Sequence, residues 1–400
     1  MGATRTNRLP PRKGARHLVA LLHGWIGVFA SLFIFLIAAT GLALAFFGEL
    51  FELQYGDIVM AKDGPPRHIA EIVEAAERGH PAGLEPQVVY MPDTRVEGME
   101  AAMVYGRELA EGGHEGMMTM VDPSTATYQG AFDLHDAFAH EFNDFHFSLL
   151  MGDWAAAFIA VIGILMVLFV LTGLYLWWPR GGTRLRDKLT RVNTKGRLLP
   201  RMFNWHGLAG IWLGALTLLF AVTGVGLSKP DWLGGAVARI DEPAAWDARF
   251  GQDCGDTVTF RQAADRAMAA FPGREIASAH FARGEENKYV FTLRGAGDWN
   301  VRFGDAHAEV HARCAGEMWT TTLGDQKPSA IFGDLMLSLH GGHIFGWLAE
   351  LSVIFTGLAL MLLSASGVYV FFKRTLPARM VRRSKAERAA FATNLAEPAE

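Results

Sequence analysis

Four long stretches without a charged residue constrain this chain more than any other feature. They are Leu18–Gly48, Trp154–Pro179, Trp205–Ser228 and Leu351–Phe372. About 20 apolar residues cross a bilayer as a helix, although a single run of that length can also be a buried core helix. Four runs together predict an integral membrane protein, mainly α, with four transmembrane helices. The first run is too long for a cleaved signal peptide, and no small-residue cleavage site follows it.

The basic residues predict the orientation of these helices. Residues 1–22, 179–203 and 371–400 hold 20 of the 37 Lys and Arg residues but only 4 of the 41 acidic residues. Segments rich in Lys and Arg stay on the cytoplasmic side. We therefore predict that both termini and the short middle loop are cytoplasmic and that the two large loops lie outside, in a periplasm or its equivalent.

The chain is accordingly divided into nine predicted segments. They are a cytoplasmic basic arm (1–17), transmembrane helix 1 (18–48), a periplasmic module (49–145), helix 2 (146–179), a cytoplasmic loop (180–202), helix 3 (203–228), a second periplasmic module (229–338), helix 4 (339–372) and a cytoplasmic tail (373–400). Each module shows an α+β pattern, a helix-like stretch followed by β-like stretches. In the first module the helix-like stretch is His68–Glu77 and the β-like stretches are Gln87–Met91, Ala101–Tyr105 and Met117–Val121. In the second module the helix-like stretch is Phe260–Phe271 and the β-like stretches are Glu275–Phe281, Tyr289–Leu293 and Trp299–Phe303.

A tandem repeat relates the two halves. His23 and His206 open the first and third runs, and each is followed 17 residues later by a Thr-Gly pair. His146 and His340 precede the second and fourth runs, and each is followed 26 residues later by Thr-Gly or Ser-Gly. Two halves in one orientation imply a pseudo-two-fold axis along the membrane normal. This axis would pair His23 with His206 near the inner face, and His146 with His340 near the outer face.

Two imidazoles at each level suit a six-coordinate haem b. A single histidine near a helix end is usually an interfacial residue, but four at matching positions favour ligands. Zinc prefers three or four protein ligands, whereas a porphyrin supplies four nitrogens and needs only two more. No Cys-x-x-Cys-His motif for covalent haem is present. We therefore predict two haems b per chain, with the four histidines as axial ligands of the iron.

Glycines beside the histidines would leave room for a flat macrocycle, and close helix packing is their alternative role. They are Gly24, Gly27, Gly152, Gly207, Gly210, Gly341, Gly342 and Gly346. The four pairs Thr40-Gly41, Thr172-Gly173, Thr223-Gly224 and Ser366-Gly367 are interpreted as packing positions rather than cofactor contacts.

Several side chains give weaker signals. His343, one turn beyond His340, is its rival as ligand. Glu350, the one acid well inside the fourth run, is expected to serve a proton or quinol site or to reach the headgroup region. His135 and His140 are interpreted as surface histidines or as contacts to substrate or to a haem propionate, and His17 and Arg16 as candidate propionate contacts at the inner site. His307 and His311 lie near Cys314, but they form only a weak metal-site pattern.

The two cysteines, Cys254 and Cys314, both fall in the second predicted periplasmic loop. An oxidising compartment favours a disulfide between them, with two free thiols as the alternative. No Gly-x-Gly-x-x-Gly sequence lies between a strand and a helix, so a nicotinamide or flavin site is not expected. Nucleic acid is not an expected partner, whereas membrane lipid is.

With these residues, the chain resembles the PepSY-associated transmembrane family, whose members include iron-regulated inner-membrane proteins. The matching elements are His23-Gly-Trp-Ile-Gly, the segment from His146 to Gly-Leu-Tyr-Leu-Trp-Trp-Pro-Arg180, Asn204-Trp-His-Gly-Leu-Ala-Gly, and Leu339-His-Gly-Gly-His-Ile-Phe-Gly. The resemblance implies two PepSY-like modules and identifies His23, His206, His146 and His340 as the matching histidines.

The resemblance also implies an enzyme, a haem-dependent ferric-siderophore reductase. It would release iron on the periplasmic side with electrons from a quinol or a cytoplasmic donor. Two alternatives remain open. One is a non-redox membrane protein whose modules bind peptides or inhibit a protease, and the other is a quinol-linked reductase of another oxidant.

Overall fold

Helices and one sheet make up the described part of the protein. The structure, a computed structural model, describes residues 14–96, 98–110, 112–152, 154–180, 184–241, 253–282, 287–342, 344 and 347–394. Its α-helices are α1 (Ala15–Leu44), α2 (Phe47–Tyr55), α3 (Ile69–Gly79), α4 (Phe138–Ser148), α5 (Trp154–Trp177), α6 (Leu185–Thr190), α7 (Leu198–Trp212), α8 (Gly214–Ser228), α9 (Pro230–Val237), α10 (Phe260–Ala270), α11 (Pro328–Gly341) and α12 (Trp347–Asn394). Its strands are β1 (Leu84–Tyr90), β2 (Ala102–Glu108), β3 (Glu115–Asp122), β4 (Thr127–Asp133), β5 (Glu275–His280), β6 (Lys288–Arg294), β7 (Ala306–His311) and β8 (Met318–Thr321).

Three helices of the described chain are long and apolar enough to cross a membrane: α1, α5 and the Trp347–Thr375 part of α12. The predicted third span is divided into α7 and α8, which meet at a bend of 64°. The break falls at Leu213, directly before Gly214, and glycine is a frequent site of sharp helix bends. The protein therefore has three candidate spans, or four if the bent pair counts as one.

The predicted helices 2 and 4 each begin later than expected. His146 lies in the separate helix α4, and the long apolar helix α5 starts only at Trp154. Leu149 and Leu150 follow α4 with φ of 49° and 56°, in the left-handed region. In the second half, His340 belongs to α11, which ends at Gly341 and is followed by Gly342 with a φ of 77°. A right-handed helix cannot continue through such residues, so both outer histidines precede the long apolar helices.

The chain forms two compact units. The first comprises residues up to Ala39, Val161–Val222 and the chain from Phe355, and the second comprises Thr40–Ala160 and Thr223–Ile354. In the second unit, an eight-stranded antiparallel sheet has the order β4-β3-β2-β1-β5-β6-β7-β8. Each predicted periplasmic module supplies four consecutive strands, and the pairing of β1 with β5 joins them.

One face of this sheet is covered by α3 and α10. The apolar side of α3, with Ile72 and Val73, packs in one core with Ala264 of α10 and with Val104 and Phe291 of the sheet. Both helices begin with a local cap: the His68 ring accepts from the backbone of Ala70, and Thr259 forms a capping box with Gln262. Arg261 and Glu74 join the two helices by an ion pair of 2.9 Å.

The opposite face differs between the two halves of the sheet. In the first half it is apolar, and a second core of Phe51, Met103, Met120 and Phe132 covers it. In the second half the equivalent strands carry polar groups, including a hydrogen bond between the Ser278 and Thr292 hydroxyls (2.8 Å) and the ion pair of Lys288 with Glu309 (2.9 Å).

Five of the six β-like stretches correspond to strands, and the sixth, Trp299–Phe303, does not. Carboxylates stop the strand there: Asp298 accepts from the backbone of Gly295 and Asp305, and Asp305 accepts from that of Trp299 and Asn300. Such side-chain bonds compete with a strand ladder for the backbone. Three further strands, β4, β7 and β8, were not predicted from the sequence.

Candidate functional site

His23, in the interior of α1, has its ring orientation fixed by a threonine hydroxyl. Its Nδ1 lies 2.8 Å from Oγ1 of Thr172. That hydroxyl donates its hydrogen to the carbonyl of Leu168, 2.6 Å away, one turn earlier in α5. Because a hydroxyl has one hydrogen, Thr172 accepts from the Nδ1–H of His23. The Nε2 of the neutral ring then carries the lone pair that a metal requires.

His206, in α7, repeats this arrangement with a serine of α12. Its Nδ1 lies 3.0 Å from Oγ of Ser366, and Ser366 donates to the carbonyl of Leu362 at 2.6 Å. By the same argument, Nδ1 of His206 donates to Ser366, and Nε2 of the ring carries the lone pair. Carbonyl, hydroxyl and imidazole thus form a chain that fixes the tautomer, as the partners of metal-ligating histidines do.

Both inner histidines line one cavity of about 1260 Å³. Pockets for small organic ligands measure roughly 300–1,000 Å³, so this cavity is large enough for a macrocycle. Its walls are largely apolar, and they include the four glycines of the inner site expected to leave room, Gly24, Gly27, Gly207 and Gly210. Basic side chains also line it: Lys188, Arg191, Lys195 and Arg374.

Two of these glycines admit aromatic rings from the other half of the chain. A Cβ at Gly24 would lie 3.0 Å from the ring of Phe371, and one at Gly207 would lie 3.1 Å from the ring of Trp177. Trp177 and Phe371 occupy matching positions in the two helix ends. Close packing and room for a ligand are therefore combined at the same residues.

The outer histidines are held by the two remaining threonines. Nδ1 of His146 lies 3.2 Å from Oγ1 of Thr40, and Nδ1 of His340 lies 2.8 Å from Oγ1 of Thr223. Each hydroxyl belongs to the other apolar segment of the same half of the chain, as it does at the inner site.

The outer pair has the spacing of two imidazoles on one metal ion. The ring centres of His146 and His340 are 6.1 Å apart, and their planes are inclined by 55°. Metal–imidazole bonds are about 2.0 Å long, and each ring centre lies about 1 Å beyond its nitrogen. An ion between two opposed rings would place their centres roughly 6 Å apart, a separation similar to that of these two rings.

The glycine after each hydroxyl residue makes space for the imidazole. A Cβ at Gly41 would lie 2.8 Å from Cε1 of His146. The corresponding distances are 3.6 Å from Gly173 to His23, 3.2 Å from Gly224 to His340 and 3.2 Å from Gly367 to His206. The interpretation of these pairs as packing positions missed their second role, which is to orient the four candidate ligands.

A known protein family matches most of this chain. The PepSY-associated TM region matches residues 20–374, which include all four histidines. The chain belongs to this family. A search of curated proteins found no match.

The donor set of this PepSY-associated TM protein fits haem b. Each pair offers two imidazoles, the donor type that iron accepts, and the inner pair lines a mostly apolar cavity that also presents cationic side chains. His17 lines the same cavity, and Arg16 donates to the carbonyl of Leu176. His343 lies outside the described residues, so its rivalry with His340 stays a prediction.

Glu350 lies elsewhere than the sequence suggested. It occupies the first turn of α12 rather than the helix interior, because that helix begins at Trp347. Acidic side chains are favourable at a helix N-terminus. Burial lowers the pKa of the Arg302 guanidinium to about 10, and the charges of Glu350 and Asp93 act in the opposite direction.

Cys254 and Cys314 form a disulfide, as the sequence favoured. Ligand atoms of His311, Cys314 and Glu317 lie within 4.8 Å of one another. The sulfur of Cys314 is in the disulfide, however, and is therefore not a thiolate ligand. Burial lowers the pKa of His307, against the charge of Asp305.

Proposed function

We propose that this protein carries electrons across the bacterial inner membrane through two haems b and reduces a ferric siderophore on the periplasmic side. The observation that carries the proposal is the fourfold repetition of one arrangement. Each histidine binds a hydroxyl through Nδ1, rests against a glycine, and belongs to a pair. A packing role for the histidines would not require the same ring nitrogen to be engaged four times.

The chain's own residues would hold and insulate the cofactors. A haem b between two imidazoles cycles between ferric and ferrous iron and so transfers one electron at a time. Thr172 and Ser366 would keep Nε2 of His23 and His206 unprotonated for the iron. The aromatic rings of Trp177 and Phe371 would restrict water at the inner site, while Lys188 and Arg374 would compensate the propionate charges.

The reaction needs one electron for each ferric ion. A quinol or a cytoplasmic reductant would supply it at the inner pair, and the ferric chelate would accept it at the outer pair. The product is Fe²⁺, which hydroxamate and catecholate ligands hold less tightly than Fe³⁺. Four membrane spans related by the repeat, with two PepSY-like modules outside, are part of this proposal.

Haem content is the first test. We expect the purified full-length protein to give a pyridine haemochrome of haem b with two haems per chain. His206→Ala should leave one haem, and His206→Ala combined with His340→Ala should leave none. His280, an exposed histidine of β5, provides the matched control, and His280→Ala should retain both. Protein without iron porphyrin would overturn the proposal and favour a non-redox binding role.

Substrate reduction is the second test. Protein reduced with a limiting amount of dithionite should be reoxidised by a ferric hydroxamate or catecholate, with one Fe²⁺ formed per haem. Reoxidation by quinone, Cu²⁺ or a sulfur compound, but not by ferric chelates, would instead identify a reductase of another oxidant. His146→Ala should slow the reaction with the chelate, since electrons would then stop at the inner haem.

A further inference from the structure

A groove lies along one side of α5, over the last two turns of the helix and just beyond its end. It has a volume of about 340 Å³ and is lined by Leu171, Leu174, Tyr175, Trp178 and Arg180. The first four recur every three or four residues and so share one face of the helix. Each of these four is between 41% and 54% exposed. The described part of the chain therefore covers this face only partly.

The groove extends from the depth of lipid tails to the depth of lipid head groups. α5 is one of the helices that are long and apolar enough to cross a membrane. It ends in Trp177-Trp178-Pro179-Arg180, and aromatic residues followed by a charge are typical of the membrane–water interface. Leu171 precedes Trp178 by one helix face of two turns, about 10 Å. Leu171 thus lies at the depth of the tails, and Arg180 at the depth of the head groups.

Two guanidinium groups lie near the aromatic ring of this groove. The Cζ atom of Arg16, in the first turn of α1, is 5.8 Å from the ring centre of Tyr175, and that of Arg180 is 5.7 Å from it. Both distances are within the range of a cation–π contact. Arg16 also donates to the carbonyl of Leu176, which connects the start of α1 to the end of α5. Arg16 is not among the described residues that line the inner cavity, and its guanidinium is at the groove instead.

The second half of the repeat has a different arrangement at the equivalent positions. Arg374 is the equivalent of Arg180, but Leu199 takes the position of Arg16. Arg374 lies over the ring of Phe203, 4.0 Å from its centre, and lines the inner cavity. The positive-inside rule requires only that basic residues lie near the helix ends. It does not account for two arginines beside one ring in the first half.

The residues of the groove match the chemistry of an anionic phospholipid. Guanidinium groups bind phosphate oxygens through paired N–H donors, and basic pockets between transmembrane helices bind lipid head groups. No carboxylate is among the described residues that line the groove. The ammonium of a zwitterionic lipid would therefore meet two further positive charges and no negative one. The leucines supply the apolar surface that an acyl chain needs.

We propose that Arg16, Tyr175 and Arg180 form a binding site for one anionic phospholipid. The two arginines bind its phosphate, and one acyl chain follows the face of Leu174 and Leu171. The lipid holds the first turn of α1 against the end of α5, close to the inner cavity. This site does not depend on the proposed electron transfer.

Native mass spectrometry of the full-length protein in detergent tests the site, with phosphatidylglycerol as the probe and phosphatidylethanolamine as the zwitterionic competitor. We expect one tightly bound phosphatidylglycerol per chain, preferred at least about 10-fold over phosphatidylethanolamine. Arg16→Gln and Arg180→Gln should each weaken binding about 5-fold, and the double variant about 30-fold. Leu171→Trp should also weaken it, because the larger side chain fills the acyl part of the groove without removing a charge.

The matched control is Arg184→Gln/Arg197→Gln, which removes two charges from exposed positions outside the groove. It should bind phosphatidylglycerol as the parent does. Melting curves in detergent show whether each variant is folded, and Leu171→Trp and the single arginine variants continue the test if the double variant is not. An equal loss of binding in the control, or equal affinity for the two lipids, would overturn the proposal.

Inorganic phosphate distinguishes a lipid from a free anion. Phosphatidylglycerol should stay bound in a large excess of inorganic phosphate, because the acyl chain adds apolar contacts that the free anion lacks. Displacement by phosphate, together with unchanged binding in Leu171→Trp, would show that the arginines hold a free phosphate and would overturn the lipid site. The measurement uses no ferric chelate and no reductant, so its outcome is separate from that of the reductase tests.

Discussion

The inner and outer histidine pairs have the same immediate partners but different backbone supports. His23 and His206 lie in the interior of α1 and α7, away from the helix ends. His146 and His340 lie near the C-terminal ends of the short helices α4 and α11, where Leu149 and Gly342 adopt left-handed conformations. All four imidazoles contact a hydroxyl, but the positions of the outer ones also depend on two turns. The outer pair should therefore be the more sensitive to changes in its surroundings.

The largest difference is expected from adding one methyl group to the glycines. Gly41→Ala places a carbon 2.8 Å from Cε1 of His146, whereas Gly173→Ala places one at 3.6 Å from Cε1 of His23, an ordinary contact. We expect the first variant to keep only the inner haem and the second to keep both, measured by pyridine haemochrome. Gly224→Ala and Gly367→Ala, both at 3.2 Å, should fall between them. Equal haem loss at positions 41 and 173 would contradict this order.

Removing the disulfide should also affect the two histidine pairs differently. Cys254 and Cys314 close a loop of 60 residues in the unit that contains the outer pair. A disulfide that closes such a loop stabilises the folded state by about 4 kcal/mol, because it lowers the entropy of the unfolded chain. Cys254→Ser/Cys314→Ser should lower the temperature at which haem is released in a His23→Ala background, where only the outer haem remains. The same change in a His146→Ala background, with only the inner haem, serves as the control and should have little effect.

Loss of a hydroxyl should have a moderate effect at either pair. Thr172→Val keeps the shape of the side chain but removes the acceptor for Nδ1 of His23, and loss of such a partner costs about 10–100-fold in affinity, or about 1.4–2.8 kcal/mol. Haem transfer to apomyoglobin measures this loss, and Thr172→Ser should restore binding. The matched control is Thr217→Val in the same cavity, since the Thr217 hydroxyl has no hydrogen-bond partner within the described residues.

The smallest expected effect concerns the turn after α4. Leu150 is exposed and has a φ of 56°, which costs a leucine about 1–2 kcal/mol. Asparagine tolerates this conformation, so Leu150→Asn should stabilise the outer site by up to about 1 kcal/mol. Thermal release of the outer haem should shift upward by a few degrees, and release of the inner haem should not. A downward shift would show that the leucine side chain, rather than the turn, supports His146.

The sequence predicted three of the apolar helices because a long run without charges depends on composition alone, but it did not predict the bend between α7 and α8. It did not predict the break after α4, since Leu149 and Leu150 carry no turn signal. The orienting roles of Thr172 and Ser366 were also missed, because a helix sequence does not indicate which neighbouring helix a hydroxyl faces. The sequence of Trp299–Phe303 is typical of a strand, but the carboxylates of Asp298 and Asp305 bind backbone N–H groups in and around this segment. Residue types alone do not show such hydrogen bonds.

The central strand pair has a consequence for how the protein is made. Val89 of β1 pairs with Ala279 of β5, about 190 residues later in the chain. Pairings this far apart in sequence form slowly, and the edge of β1 stays open until then. If both long loops are periplasmic, the sheet closes only after the second one has been exported. The complete sheet could then form only if both halves of the chain had entered the membrane in the same orientation.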